Sequence, residues 1–251
     1  MTLAYLTGRR LKVFVKQPAF LVVTLIQPVI WLFLFGNLFR RIVDLPGFGA
    51  GNYIEYLVPG IVVMTAVSSS MWSGMGVLEE IDRGTMNRFL VTPARRGAVL
   101  EAVVVEQTLS VTVQSTAIVL LGLAAGARYP AGGVLLLIAA GALLGVVFSS
   151  LSNIAGMLVR QRETIIGLNT LLLLPLTFLS SSFMAPALMP AWMRGAARGN
   201  PVNWALETCR SALAGSVDWP RTLAYGGGLL ALALTLVWLS TRTFKAYQRS
   251  V

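Results

Sequence analysis

The sequence predicts an all-α integral membrane protein: six transmembrane helices, an N-terminal interfacial helix, a short cytoplasmic helix between the second and third crossings, and a re-entrant helical hairpin before the last. Three observations carry this. Hydrophobic residues make up 56% of the 251-residue chain and charged residues only 12%, which does not suit a domain with a solvated surface. The apolar residues fall into runs of about 20, the length a helix needs to cross a bilayer core of roughly 30 Å. The charges gather between those runs. Residues 1–251 therefore read as a single transmembrane domain, with no room left for a large soluble one.

Residues 1–17 carry Arg9, Arg10, Lys12 and Lys16 among apolar residues and lack a small-residue cleavage site, so they do not read as a removable leader. Leu3, Leu6, Val13 and Phe14 share one side of a helical wheel, with Tyr5, Arg9, Lys12 and Lys16 opposite. That pattern suits a helix lying in the interface with its basic face on anionic headgroups; a solvated basic tail is the alternative. Apolar runs then place crossings at 19–39, 54–78, 99–125, 132–159, 164–183 and 221–241. Six crossings put both termini on one side. If that side is cytoplasmic, inner segments hold thirteen of the 20 Lys and Arg residues and outer segments seven, which agrees with the positive-inside rule.

The crossings are not plain lipid-facing rods. Gln27 and Pro28 interrupt the first, Thr65, Ser68, Ser69, Ser70 and Ser73 the second, and Asn169 and Pro175 the fifth. The third carries Thr108, Thr112, Ser115 and Thr116 on one stripe and Gln107, Ser110 and Gln114 on another. Polar groups facing lipid are costly, so these should face neighbouring helices or water. Ser68, Ser69, Ser70 and Trp72 of the second crossing, with Asn169, Thr177 and Ser180 of the fifth, are the candidates to line a path; packing between helices is the other reading. Gly122 with Gly126 and Gly141 with Gly145 form pairs spaced for close helix approach.

Several kinds of chemistry are excluded. With no histidine and a single cysteine, Cys209, no disulfide and no metal site of imidazoles or paired thiolates can form. No catalytic residue is assigned, because the usual base is missing and the acids Glu101, Glu106 and Glu163 lie toward the cytoplasmic ends of their helices. The same lack of mid-membrane acids weighs against an ion-coupled carrier or channel. There is no phosphate-cradling G-x-x-x-x-G-K-[ST] loop, and the only lysines are Lys12, Lys16 and Lys245, so the chain is not its own ATPase. The net charge of +10 sits in clusters between apolar runs rather than along one face, which excludes a nucleic-acid surface.

Two stretches stand out. In LEEIDRGTMNRFLVTPARRG, residues 78–97, Gly84 can break the preceding helix, Thr85 can cap a new one, and Pro93 stops it. Residues 84–95 then form a short helix with Met86, Phe89, Leu90 and Pro93 on one face. Such a face wants a groove, supplied by the membrane surface or by a soluble protein. In TFLSSSFMAPALMPAWMRGAARGNPVNWALETCR, residues 177–210, the prolines Pro186 and Pro190 and the Asn200–Pro201 step break the chain into pieces too short to cross. Residues 184–213 suit a broken helical pair dipping into the outer leaflet, an outer gate marked by Pro186, Pro190, Asn200 and Pro201; a simple surface loop is the alternative.

These two ordered blocks resemble permease subunits of type-2 ABC exporters. The first has the acidic residues, Gly-Thr step, aliphatic–aromatic pair and Thr-Pro followed by a basic residue; the second has Phe-Leu-Ser, spaced prolines, Asn-Pro and a terminal Arg. The resemblance covers nearly the whole chain. It implies that the 84–95 segment is a coupling helix on a separate ATP-hydrolysing subunit, with Met86, Phe89 and Leu90 in its groove and Glu79, Glu80, Asp82, Arg83 and Arg88 orienting it. It also implies two ATPases, which bind the ATP and Mg, a second permease chain, identical or paralogous, and a place in a bacterial cytoplasmic (inner) membrane. Within the family the likeness is greatest to daunorubicin-resistance-type permeases, which makes drugs or other hydrophobic compounds the expected cargo and a lipid-linked glycan or lipooligosaccharide the alternative.

Overall fold

The structure, a computed structural model, describes residues 18–39, 41, 52–83 and 98–247, with the backbone alone for 18–23, 98–100 and 247. The N-terminal segment 1–17 and the 84–95 helix, with Met86, Arg88, Phe89 and Leu90, lie outside the described residues. Among the described residues all regular structure is helical: α1 (Pro18–Leu38), α2 (Tyr53–Met71), α3 (Ser73–Asp82), α4 (Ala98–Ala124), α5 (Ala131–Val159), α6 (Arg162–Phe178), a 3-10 turn (Pro186–Leu188), α7 (Ala191–Arg198), α8 (Pro201–Leu213) and α9 (Trp219–Tyr247).

Among the described residues four stretches are long and apolar enough to cross a membrane: Tyr53–Asp82, Glu101–Ala124, Ala131–Val159 and Trp219–Ala246. They coincide with the second, third, fourth and sixth expected crossings. The fifth ends at Phe178, earlier than hydropathy suggests, and its 17 residues rise only about 25 Å. The reason is tertiary: Asn200, Asn203 and Tyr56 take over as backbone partners of residues 176–181, although the run remains apolar enough to read as one span.

α5 is the hub, packed against α2, α3, α4, α8 and α9. Small residues allow this. A Cβ on Gly145 would lie 3.2 Å from the Val111 side chain of α4, and one on Gly156 would lie 2.6 Å from the Gly74 carbonyl oxygen. The second distance is inside van der Waals contact with backbone, so α3 and α5 cross there only because both positions lack side chains. The other glycine pair divides its work. Gly122 packs on Val58, whereas Gly126, at φ 97°, is the left-handed stop of α4.

Two apolar clusters fill the interior. One joins Val67, Met71, Leu144, Phe148, Leu206 and Leu229; the other joins Tyr53, Leu57, Ile61, Ile118 and Leu137. The outside of the bundle is equally apolar, with Leu135, Leu171 and Leu234 at least 63% exposed. An aqueous surface would not tolerate such a band, whereas hydrocarbon removes its cost.

The polar contacts gather at two ends. At one, the Arg128 amide donates to Glu55 Oε1 (3.0 Å) and the Tyr129 hydroxyl to the Glu55 carbonyl (3.1 Å), tying the α4–α5 turn to the start of α2. Burial and the nearby Glu55 carboxylate push the Tyr129 phenol above its ordinary range. At the other end, Arg162 at the start of α6 meets Asp82 at the end of α3 (3.2 Å), beside Arg160, whose positive φ of 54° turns the chain from α5 into α6.

Candidate functional site

Two breaks in the backbone organise the polar interior. The first separates α2 from α3 without a proline. The Met75 amide bonds back to Trp72 rather than to Met71 (3.0 Å), which frees the Met71 carbonyl. That oxygen accepts from Ser152 Oγ of α5 and from Asn169 Nδ2 of α6 (3.0 Å). Ser73 Oγ donates to Asn153 Oδ1 (2.9 Å), and Ser152 Oγ accepts the Gly74 amide (2.9 Å). Side chains from α5 and α6 thus complete a helix ladder that has lost a rung, the usual cause of a kink without proline. Trp72, at the corner, is left 52% exposed.

The second break follows α6, where the last carbonyls of a helix need outside donors. The Leu179 amide takes the Pro175 carbonyl (2.8 Å) and Ser180 Oγ takes that of Thr177 (2.6 Å). Asn200 Nδ2 reaches the Leu176 (2.7 Å) and Leu179 (3.1 Å) carbonyls. The Ser181 amide donates to Asn203 Oδ1 (3.0 Å), and its carbonyl accepts from the Tyr56 hydroxyl (2.7 Å) and from the Arg210 guanidinium. Arg210 also lies over the Tyr56 ring, 4.0 Å from its centre. A Cβ on Gly60 would lie 2.2 Å from the Ser182 carbonyl oxygen, so α2 carries no side chain where this segment crosses it. Irregular backbone among hydrophobic helices is tolerated when buried in protein, and Ser180, Ser181 and Ser182 are all buried.

The stretch after this segment holds Pro186 at the head of the 3-10 turn and Pro190 at the N-cap of α7, both exposed. Asn200 caps α8 by accepting the Val202 amide (2.9 Å), and Pro201 follows at the first helical position, where its missing amide is not needed. Glu207, 8% exposed at its side chain, pairs with Arg221 of α9 at 2.7 Å. An aromatic row on α1 packs against the same segment: Trp31 stacks on Phe35 (4.6 Å), Phe35 on Phe39 (5.4 Å), and Phe183 sits 5.8 Å from Phe35.

Between α1, α2 and α4 lies a half-open cavity of about 150 Å3. α1 lines it with Thr24, Gln27 and Trp31, α2 with Thr65, Ser68 and Ser69, α4 with Gln114, and Trp72 stands at its edge. The candidate path residues therefore divide. Ser68, Ser69 and Trp72 share this cavity, whereas Ser70, Asn169, Thr177 and Ser180 are buried, Asn169 and Ser180 being engaged with the backbone of the two breaks. Gln114 belongs to a polar stripe visible in the sequence; its facing position depends on the tertiary packing. Thr108, Thr112 and Thr116 of the other stripe donate to their own helix's carbonyls four residues back. Tyr56 gives no signal in the sequence, where it reads as an apolar crossing residue; Arg210 is the terminal Arg of the second block, but nothing in the sequence shows that it bonds the Ser181 carbonyl.

At the opposite end, Glu79 pairs with Arg83 (2.5 Å) and Asp82 with Arg162 (3.2 Å), all well exposed, while Glu80 is half-buried. The described part of the expected docking set is thus a cluster of charge pairs at the end of α3, immediately before residue 84.

Comparison with known proteins bears on this arrangement. The chain is similar to the daunorubicin resistance ABC transporter permease protein DrrB1 of Streptomyces coeruleorubidus, 27% identical over 252 aligned positions that cover 95% of this chain and 85% of the relative. It is also similar to the inner membrane transport permease YadH of Escherichia coli strain K12, 27% identical over 217 positions covering 81% and 80% of the two chains. The model of the ABC-2 type transporter family matches residues 2–214, from the N-terminal segment through both backbone breaks and the stretch after the second. The chain belongs to the ABC-2 type transporter family, as a membrane-spanning permease subunit of an ABC transporter.

Proposed function

We propose that this permease forms, with a second permease chain and two copies of an ATPase, an exporter of drugs or other hydrophobic compounds in a bacterial inner membrane. Membership of the ABC-2 family implies a partner ATPase, and the observation that carries the proposal is the family match over residues 2–214, a range that includes 84–95. In this reading α1 and α6 join the four longer helices as a six-span bundle with both termini cytoplasmic. ATP and Mg are bound by the partner, and no cofactor is held by this chain. The 84–95 helix seats Met86, Phe89 and Leu90 in the ATPase, with Glu79, Glu80, Asp82, Arg83 and Arg88 around the rim, where charges select partner and register more than they add affinity.

Support for a mechanical role comes from the Asp82–Arg162 pair. A shift of the docked segment is delivered to α3, and through that pair and the Met71 carbonyl to α6 as well. The path follows the polar side of α2, with Ser68, Ser69, Ser70 and Trp72. Asn169, Thr177 and Ser180 hold the two breaks beside it, and the hairpin with Pro186, Pro190, Asn200 and Pro201 closes the outer mouth. Drug cargo draws its support from the likeness to DrrB1, whose name carries daunorubicin resistance. The test replaces Phe89 or Leu90 with Asp and measures both co-purification of the ATPase and ATP-driven export in proteoliposomes. Loss of both is expected, because a buried carboxylate removes most of a small apolar interface. Unchanged assembly with unchanged export sinks the docking reading.

A further inference from the structure

We infer that the cavity between α1, α2 and α4 binds, within a single permease chain, the ring or headgroup of a neutral amphiphile that carries a hydrogen-bond donor. The inference rests on the membrane-spanning reading of these helices and not on docking to an ATPase.

The polar groups in the cavity define what it accepts. Gln114 is 1% exposed, and its Nε2 is held by Ser110 Oγ at 3.2 Å. Its Oε1 has no partner, nor has the buried Oγ of Ser69 on the facing helix. Gln114 lies near the middle of α4, so at mid-membrane these atoms are satisfied only by what enters the cavity. An acceptor fixed in place by its own amide calls for a hydroxyl or an N–H. Among the described residues no charged side chain lines the space, so an ionised ligand would be left without a counter-charge at low dielectric and is rejected. Neutral donors fit.

Size and shape narrow the ligand further. About 150 Å3 matches the cavity volume that takes up a single benzene ring, far less than a whole drug or lipid. Trp31 supplies one wall, and its ring is already locked by stacking on Phe35 at 4.6 Å. Gln27 and Trp72, the exposed lining residues, mark the open side. One ring or headgroup is seated inside, therefore, and an alkyl tail runs out past Trp72 into the bilayer. Gln114 Oε1 accepts a ligand hydroxyl's proton and the Ser69 hydroxyl donates to the same ligand oxygen, so an analogue lacking that group leaves both buried and unpaired.

The probe is tritiated 4-nonylphenol, with saturable binding measured on the full chain in lipid nanodiscs after subtraction of empty discs. The native chain is expected to bind it saturably, with unlabelled nonylbenzene and, at about pH 8, ionised 4-nonylbenzoate failing to compete. Gln114→Leu and Ser69→Ala should each weaken binding about tenfold. If Gln114→Leu does not fold, a diazirine analogue of the probe on the native chain should label residues 24–31, 61–72 and 114. Absence of saturable binding means that the cavity holds water alone and overturns the inference. Equal competition by nonylbenzene, unchanged binding in a folded Gln114→Leu chain, or labelling confined to other helices does the same. With the ATPase present, ATP-driven movement of bound probe identifies a cargo subsite, and probe that stays identifies a resident lipid-like ligand; both keep the site. Because binding is read without the ATPase, failed docking leaves this result intact.

Discussion

Asn200 holds the second backbone break together by two separable devices, and replacing it tests the account of that break quantitatively. Its Oδ1 caps α8, while its Nδ2 reaches the Leu176 and Leu179 carbonyls at the end of α6. Asn200→Ser keeps an oxygen for the cap and removes the donors. The two carbonyls that face Asn200, itself 5% exposed, then lose a donor, at roughly 1 kcal/mol each, a figure between the soluble-protein range and the lower membrane average. Asn200→Ala removes the cap as well, which costs about a further 1 kcal/mol. Unfolding by SDS titration in bicelles should therefore give losses of about 2 kcal/mol for Ser and about 3 kcal/mol for Ala. If Asn200→Ser stays within about 0.5 kcal/mol of the native chain, the break is not held by these bonds. Equal losses for Ser and Ala would remove the cap from the account.

Other perturbations probe separate contacts. Gly156→Ala puts a methyl group 2.6 Å from the Gly74 carbonyl, a backbone atom that cannot swing away, so a loss of about 1–3 kcal/mol in the same assay is expected, whereas Gly227→Ala, with nothing within 4 Å, should be tolerated. Arg221→Ala strands the buried Glu207 carboxylate and should destabilise by about 1–3 kcal/mol, below the range for fully buried pairs because Arg221 is half exposed; Glu207→Gln in the same background should recover part of the loss. Tyr129 holds its proton more tightly in the fold than its ordinary value of 10.0 allows, so its contribution is complete below that pH and falls as the pH rises beyond it. Thermal unfolding should accordingly be flat in this respect to about pH 9 and decline above about pH 10, with the decline smaller in Tyr129→Phe.

Much of this architecture was legible in the sequence because hydropathy is additive along a chain. Each residue of α5 contributes its own transfer free energy, so the ends of that crossing fall within a residue of 132–159 without knowledge of any neighbour, whereas α9 starts near the expected position but runs on to Tyr247. The break at Asn200–Pro201 was equally local, but the structure starts α8 at Pro201 itself, with Asn200 as the cap, where the sequence suggests a helix only from Trp204. The break at Trp72 was not legible. Nothing near residue 71 forbids a helix; the ladder is interrupted where Ser152 and Asn169, far along the sequence, bond the Met71 carbonyl. The early end of α6 was hidden for the same reason, with Asn200, Asn203 and Tyr56 replacing the helical partners of an otherwise apolar run.

The candidate site divides along the same line. Ser68, Ser69 and Gln114 announced themselves as polar residues in apolar helices, which is a statement about cost and can be made residue by residue. Which of them bond their own helix, as Thr108 and Thr112 do, and which are left facing a shared space, as Gln114 is, depends on what stands opposite. By itself the sequence determined that this chain lives in a bilayer, roughly where its longest apolar helices fall, and that it carries no nucleotide-binding loop of its own. Only the tertiary structure decided where backbone could leave the helix and where a polar atom stayed unpaired, because a hydrogen bond within a membrane needs a partner brought from elsewhere in the chain.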